Sequence, residues 1–178
     1  MLVSLTELLK TKSKSQVKKL LKTFKCNLNK DIESFLLHKA ILFEKKLRVK
    51  TYLIIENNNL IAYFSIGLTS LNNENISNEI IEFLIGERKQ PLSIPCFLIG
   101  QLGKSDLILD KKIGDFLLEE AIKKILISNE ILGGRFILLD AINHTKILRF
   151  YCKNGFFPIE KITKQKESIK MFYPLFDE

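Results

Sequence analysis

The chain has 178 residues, 46% hydrophobic and 27% charged, with 28 Lys and Arg against 20 Asp and Glu for a formal net charge of +8. These values describe one globular domain with a sizeable core, and no apolar run approaches the ~20 residues a membrane span needs. The excess of cations suits an anionic partner, a nucleic acid among them, although abundant Lys, Ile and Asn is also what an A+T-rich genome encodes.

Taken in chain order, the N-terminal stretch MLVSLTELLKTKSK has no long apolar segment and no small-residue cleavage site, so no secretory signal is expected. Leu2 to Leu9 reads as a short strand or the start of a helix. Ser15 to Phe24 reads as a basic amphipathic helix with Val17, Leu20, Leu21 and Phe24 on one side; a solvated face over a core is the commoner reading of such a helix than a membrane- or RNA-binding one. Asn29-Lys30-Asp31 offers a cap for a helix whose apolar stripe is Ile32, Phe35, Leu36, Ala40 and Phe43. His38 falls on the solvent side, and the cations Lys45, Lys46, Arg48 and Lys50 suit the helix C-terminus. Thr51 to Ile55 and Leu60 to Leu68 are β-rich, and Asn57-Asn58-Asn59 joins them as a hairpin.

A helix from about Ser77 to Ile85 stops at Gly86, and Pro91 and Pro95 precede a strand over Cys96 to Leu102. A polar loop then leads to a helix beginning near Ile113-Gly114, whose buried face is Leu117, Leu118, Ala121, Ile122, Ile125 and Leu126. After Gly133-Gly134, Phe136 to Leu139 reads as a buried strand ending at Asp140-Ala141. A turn through Asn143, His144 and Thr145 enters a helix with Ile147, Leu148, Phe150 and Tyr151 on one side and Lys146, Arg149 and Lys153 on the other. Asn154-Gly155 stops it, Phe156-Phe157 opens a new apolar segment, and Ser168 to Tyr173 makes a last strand before Pro174. Mixed elements around a strand–helix–strand unit predict an α/β sandwich, and the absence of repeats or a linker predicts one domain over residues 1–178.

Two stretches carry chemistry. The segment from Cys96 to Ala121 makes a strand–loop–helix junction that gathers free backbone N–H groups at the positive end of a helix dipole, an arrangement that suits a pyrophosphate where glycine lets the backbone approach closely. The second stretch, Phe150-Tyr151, three residues, Gly155-Phe156, resembles the FYxxxGF signature of the GNAT N-acetyltransferases; a core tyrosine with its hydroxyl at the surface is the plainer reading. The resemblance implies a GNAT-like mixed sheet with flanking helices, acetyl-CoA as co-substrate with no metal, and Tyr151 as the acid that protonates the departing thiolate. It also implies cofactor contacts from Leu102, Gly103, Lys104, Lys111, Lys112, Ile113, Gly114 and Asp115. The Leu117-Leu118 pair aligns Gly114 with the last glycine of the family's phosphate loop. Lys112 then stands at the first glycine and Leu109 at the Arg or Gln, so one of three defining positions is kept; Lys111 or Lys112 would supply charge instead.

Direct transfer needs no covalent intermediate, so Cys26, Cys96 and Cys152 read as packing residues. Odd in number and without C-x-x-C pairing, the three cysteines fit a reducing cytoplasm better than a disulfide framework or zinc site, and two histidines are too few for a metal proposal. The general base stays open among Glu56, Asp140 and water. The stretches FKCNLNKDIESFLLHKA, TYLIIENNNLIAYFSI and IPCFLIGQLGK are similar to the branch that contains acetyltransferase toxins of toxin–antitoxin pairs, which acetylate the amino acid on aminoacyl-tRNA. This implies a small-molecule or aminoacyl-tRNA amine acceptor, a possible antitoxin and possible homodimer, and no membrane. The competing class is a non-catalytic RNA- or protein-binding module, favoured by the altered loop and disfavoured by Tyr151.

Overall fold

Ser4 and Ser13 open the first two helices by the same device. In the computed structural model, which describes residues 1–88, 91–108 and 112–176, each serine hydroxyl accepts from the backbone N–H three residues on. The Glu7 and Gln16 side chains reach back to the serine N–H groups at 3.0 and 2.9 Å. Two orphan donors are thereby satisfied at each start.

The chain divides into two compact units, Met1–Gly67 with Ile99–Lys124, and Leu68–Leu98 with Ile125–Glu178. In the first, β1 (Leu2–Ser4) leads into α1 (Leu5–Thr11) and α2 (Lys14–Leu21). Asn29 caps α3 (Lys30–Ser34), accepting from the Asp31 N–H at 3.0 Å; a π-helical turn, Phe35–Lys39, joins it to α4 (Ala40–Lys45). Leu36, Ala40 and Glu44 are the buried positions of this run, and Phe43 is only half-buried. The expected stripe ended at Phe43; a π turn holds an extra residue, so the inward face arrives one position later. His38 is exposed.

The inward Glu44 is 3% exposed and fully engaged. Its carboxylate accepts from the Thr51 N–H at 2.8 Å and from the Thr6 hydroxyl, and faces the Lys50 ammonium at 3.5 Å. This ties α4 to α1 and to β2 (Val49–Glu56). β2 pairs antiparallel with β3 (Asn59–Asn72) around Asn57 and Asn58, both at positive φ, 48° and 60°. That is the turn geometry whose twist matches a hairpin. The core beneath includes Leu5, Leu8, Val17, Leu21, Phe24, Leu36, Leu53, Leu60 and Tyr63.

In the second unit, Ser77 caps α5 (Asn78–Ile85), and Gly86 ends it in the left-handed region at φ 74°. The Arg135 Nε donates to the Leu84 carbonyl at 2.8 Å, and its guanidinium stacks 4.0 Å from the Phe176 ring. β4 (Ser93–Lys104) belongs to this unit as far as Leu98, and there it is the parallel neighbour of β5 (Phe136–Ile142), paired at Phe97–Ile137 and Leu98–Leu138. β5 pairs along its whole length with β7 (Ser168–Pro174), and β7 pairs on its other side with the short β6 (Phe157–Pro158). Phe136 to Leu139 are all buried, as a strand covered on both faces should be. β5 runs past the expected stop at Asp140-Ala141 because its antiparallel partner keeps bonding to Ile142.

The strand order is β1-β2-β3-β4-β5-β7-β6, a mixed seven-stranded sheet with flanking helices. α6 (Ile113–Leu132) buries Leu117, Leu118, Ala121 and Ile125, whereas Leu126 is 43% exposed rather than part of the buried face. α7 (Thr145–Lys153) follows β5 after the Asn143-His144 turn.

Candidate functional site

Leu102, Gly103 and Lys104 are the last three residues of β4. Gly103 is buried, and a Cβ there would lie 2.7 Å from Ile32 Cγ2 and 3.7 Å from Phe24 Cζ. Its missing side chain is thus required by packing against the α3 region. The Lys104 Nζ donates to the Ile108 carbonyl at 3.1 Å, which braces the loop that follows.

That loop is further tied to the segment before α3. The Ser105 N–H donates to the Ile61 carbonyl at 2.7 Å, and the buried Ser105 Oγ accepts from the Lys25 N–H at 3.3 Å. The Asp106 N–H donates to the Lys25 carbonyl at 2.8 Å, and its carboxylate accepts from the Asn27 N–H at 2.7 Å. Glu33 anchors the same segment, accepting from the Cys26 N–H at 3.1 Å and from the Lys25 and Lys30 ammoniums at 3.2 and 3.3 Å. The Cys26 hydrogen bond, with the two lysines adding to it, holds the Glu33 carboxyl down to about 2. The reading of the sequence missed Ser105 and Asp106, since their partners are about eighty residues away.

Lys111 and Leu109 lie outside the described residues. Lys112 is exposed, and its carbonyl accepts the Phe116 N–H at 3.1 Å. Ile113, Gly114 and Asp115 occupy the first turn of α6, at the positive end of the helix dipole. Such a turn favours an anion, although the Asp115 carboxylate brings negative charge to the same place. Beside it, Met1, Ile54, Glu56, Ile61, Leu107, Ile108 and Ile113 line a mostly apolar hollow of about 600 Å³.

In the other unit, Tyr151 stands on α7, whose N-cap is His144, the Nδ1 accepting from the Lys146 N–H at 3.3 Å. Leu148 and Tyr151 are its buried residues. Phe150 and Phe156 meet the Tyr151 ring edge-on at 5.0 and 5.6 Å. Gly155, at φ 84°, turns the chain so that the Phe156 N–H donates back to the Tyr151 carbonyl at 3.1 Å. A Cβ on Gly155 would also lie 3.0 Å from the Tyr173 ring. The spacing of this stretch thus has a local physical reason: the glycine lets Phe156 fold back onto the tyrosine.

Tyr151 is 8% exposed, and burial pushes its hydroxyl up to about 12. No described residue hydrogen-bonds that hydroxyl, yet it is not among the sealed, partnerless polar atoms, which are Thr51 Oγ1, Ser65 Oγ and Asn129 Oδ1. It is therefore not fully sealed. Tyr63, by contrast, commits its hydroxyl to the Ile32 carbonyl at 2.6 Å.

The remaining candidates separate cleanly. Glu56 is exposed at the end of β2. Asp140 lies within β5 rather than at its end and pairs with the Lys170 ammonium at 3.0 Å. Cys26 and Cys96 are buried, as packing residues should be, but Cys152 is exposed, because it sits one residue round α7 from the inward Tyr151. Among the described residues no three His, Cys, Asp or Glu side chains converge to hold a metal ion. No described helix is long and apolar enough to cross a membrane.

No protein-family model matches the chain, and no curated protein does. Solved structures do match in fold. A crystal structure of a bacterial toxin is similar at a TM-score of 0.73 and 17% identity, covering 98% of this chain and 91% of that one. AtaT complexed with acetyl-methionyl-tRNAfMet matches at 0.68 and 16% identity over 86% of each chain. A Tyr-to-Phe mutant of the AtaT toxin, bound to the C-terminus of the antitoxin AtaR and to acetyl-CoA, matches at 0.65 and 15% identity over 86% of this chain and 84% of that one. At such identities the shared property is the fold, the α/β arrangement of GNAT-like toxin structures.

Proposed function

We propose that the chain is an acetyl-CoA-dependent N-acetyltransferase that moves the acetyl group directly to a primary amine. The observation that carries this reading is the Tyr151 hydroxyl, its ring held by two aromatic neighbours, kept protonated by burial and hydrogen-bonded by no described residue. Acetyl-CoA supplies the acetyl thioester. Backbone N–H groups near the end of β4, at Leu102 to Lys104, polarise its carbonyl, and the first turn of α6 at Ile113, Gly114 and Asp115 receives its phosphates, with Lys111 and Lys112 adding positive charge. As the new C–N bond forms and the C–S bond breaks, Tyr151 gives its proton to the departing sulfur. Water or Glu56 takes the proton lost by the amine; Asp140 is disfavoured by its ion pair with Lys170.

A second reading fixes the acceptor as the amino acid carried by aminoacyl-tRNA, with an antitoxin as regulatory partner. It is favoured by the fold shared with AtaT, whose structures include complexes with acetyl-methionyl-tRNAfMet and with AtaR, and by the net charge of +8. The test is calorimetry with acetyl-CoA, followed by transfer of labelled acetyl to a panel of amines and aminoacyl-tRNAs. Binding and transfer are expected. A native protein that binds no acetyl-CoA is a non-catalytic module, and preference for free polyamines over aminoacyl-tRNA removes the second reading alone.

A further inference from the structure

The charge of this chain is not spread along it. Between Lys10 and Lys30 there are eight lysines and no Asp, Glu or Arg, while the whole chain carries 28 cations against 20 anions. The entire formal excess of +8 therefore sits in this one segment, and the remainder is formally neutral. A general enrichment in lysine does not separate it from its counter-charges in this way.

The structure sorts these lysines by what they do. Lys25 and Lys30 turn to Glu33. Lys14, Lys18, Lys19 and Lys22 instead line a shallow depression along α2, all are exposed, and among the described residues none pairs with a carboxylate. Lys14, Lys18 and Lys22 recur every four residues, about 6 Å apart along the axis. This row is held stiffly: Ser13 and Gln16 cap its start, and Val17 and Leu21 bury the other face in the core.

We propose that the exposed face of α2 is a docking surface for the phosphate backbone of an RNA. The chemistry favours this over other anionic partners. With Val17 and Leu21 already in the core, α2 has no apolar face left to enter a bilayer. Protein interfaces are depleted in lysine and anchored by aromatic residues, and this face has none. Phosphates, by contrast, are held by rows of cations through release of their counterions. The inference rests on the reading that the acceptor amine is carried by RNA, and it locates where the body of that RNA is held.

Filter binding of deacylated tRNA across a salt series tests it, comparing the native protein with a Lys14→Gln, Lys18→Gln, Lys22→Gln variant. A charge-matched control carries Lys45→Gln, Lys46→Gln and Lys161→Gln, and acetyl-CoA calorimetry verifies that each variant is folded. The α2 variant is expected to lose about tenfold or more in affinity at low salt. Its log–log salt slope should be shallower by about 0.7–0.9 for each lost phosphate contact. The control should keep both affinity and slope. If the α2 variant binds as the native protein does, the docking surface is refuted while the RNA-borne acceptor stands. If native protein fails to bind tRNA at low salt, both fall, and acetyl-CoA binding still upholds the acetyltransferase reading. Capture of anionic vesicles or an acidic peptide through these lysines in preference to tRNA also overturns it.

Discussion

Two residues make the sharpest claims about protons. A hydroxyl raised to about 12 keeps its proton throughout the neutral range, which is the state a general acid needs. Tyr151→Phe should lower kcat by about 10² or more while leaving acetyl-CoA affinity nearly unchanged. The ratio of native to variant rates should stay flat from about pH 6.5 to 9.5, since Tyr151 does not titrate there. Tyr173→Phe is the matched control, and full turnover by Tyr151→Phe would make Tyr151 a packing residue. Glu33 works in the opposite sense: its folded pKa, about 2, lies below its ordinary 4.5. The unfolded chain then holds more protons between those values, so the stabilisation is present above about 4.5 and is lost as pH falls toward about 2. Glu33→Gln should melt below native protein at neutral pH, and the gap in Tm should close across that acid window.

At the scale of elements, β4 and the start of α6 carry separable burdens. Gly103→Ala places a methyl group against Ile32, with Phe24 close behind, and should cost about 1–3 kcal/mol in urea unfolding. Gly114→Glu adds bulk and negative charge in the first turn of α6 and should abolish acetyl-CoA binding by calorimetry with little change in stability; equal binding would move the phosphate site elsewhere. Elements set by neighbouring residues were legible in the sequence: the Asn57-Asn58 hairpin, the Gly86 stop, the Asn29 cap and the turn of Gly155 under Tyr151. The Ser4–Glu7 and Ser13–Gln16 boxes are equally local. The π turn at Phe35–Lys39 was not legible, since it is a packing compromise that leaves a helical spacing almost intact. Nor was the burial of Glu44, whose partners Thr6, Lys50 and Thr51 come from other elements.

For the whole molecule, the α/β class followed from the succession of elements, but the strand order did not. β7 enters between β5 and β6, an arrangement fixed by pairing across some thirty residues, from Asp140 to Lys170, rather than by any local pattern. The candidate site was legible to a similar degree. Tyr151 and Gly114 stand out by spacing, whereas Ser105 and Asp106, which hold the loop after β4, are marked only by distant backbone partners. The three cysteines, read from sequence as equivalent, are not. Cys26 and Cys96 are shut in their two cores, with burial pushing the Cys96 thiol up to about 12, while Cys152 faces outward. A thiol reagent should therefore titrate one group in the folded protein and three in denaturant. The slow pair, one from each compact unit, becomes a built-in clock for the opening of each unit, and Cys152 offers a natural attachment point for a dye one residue from Tyr151.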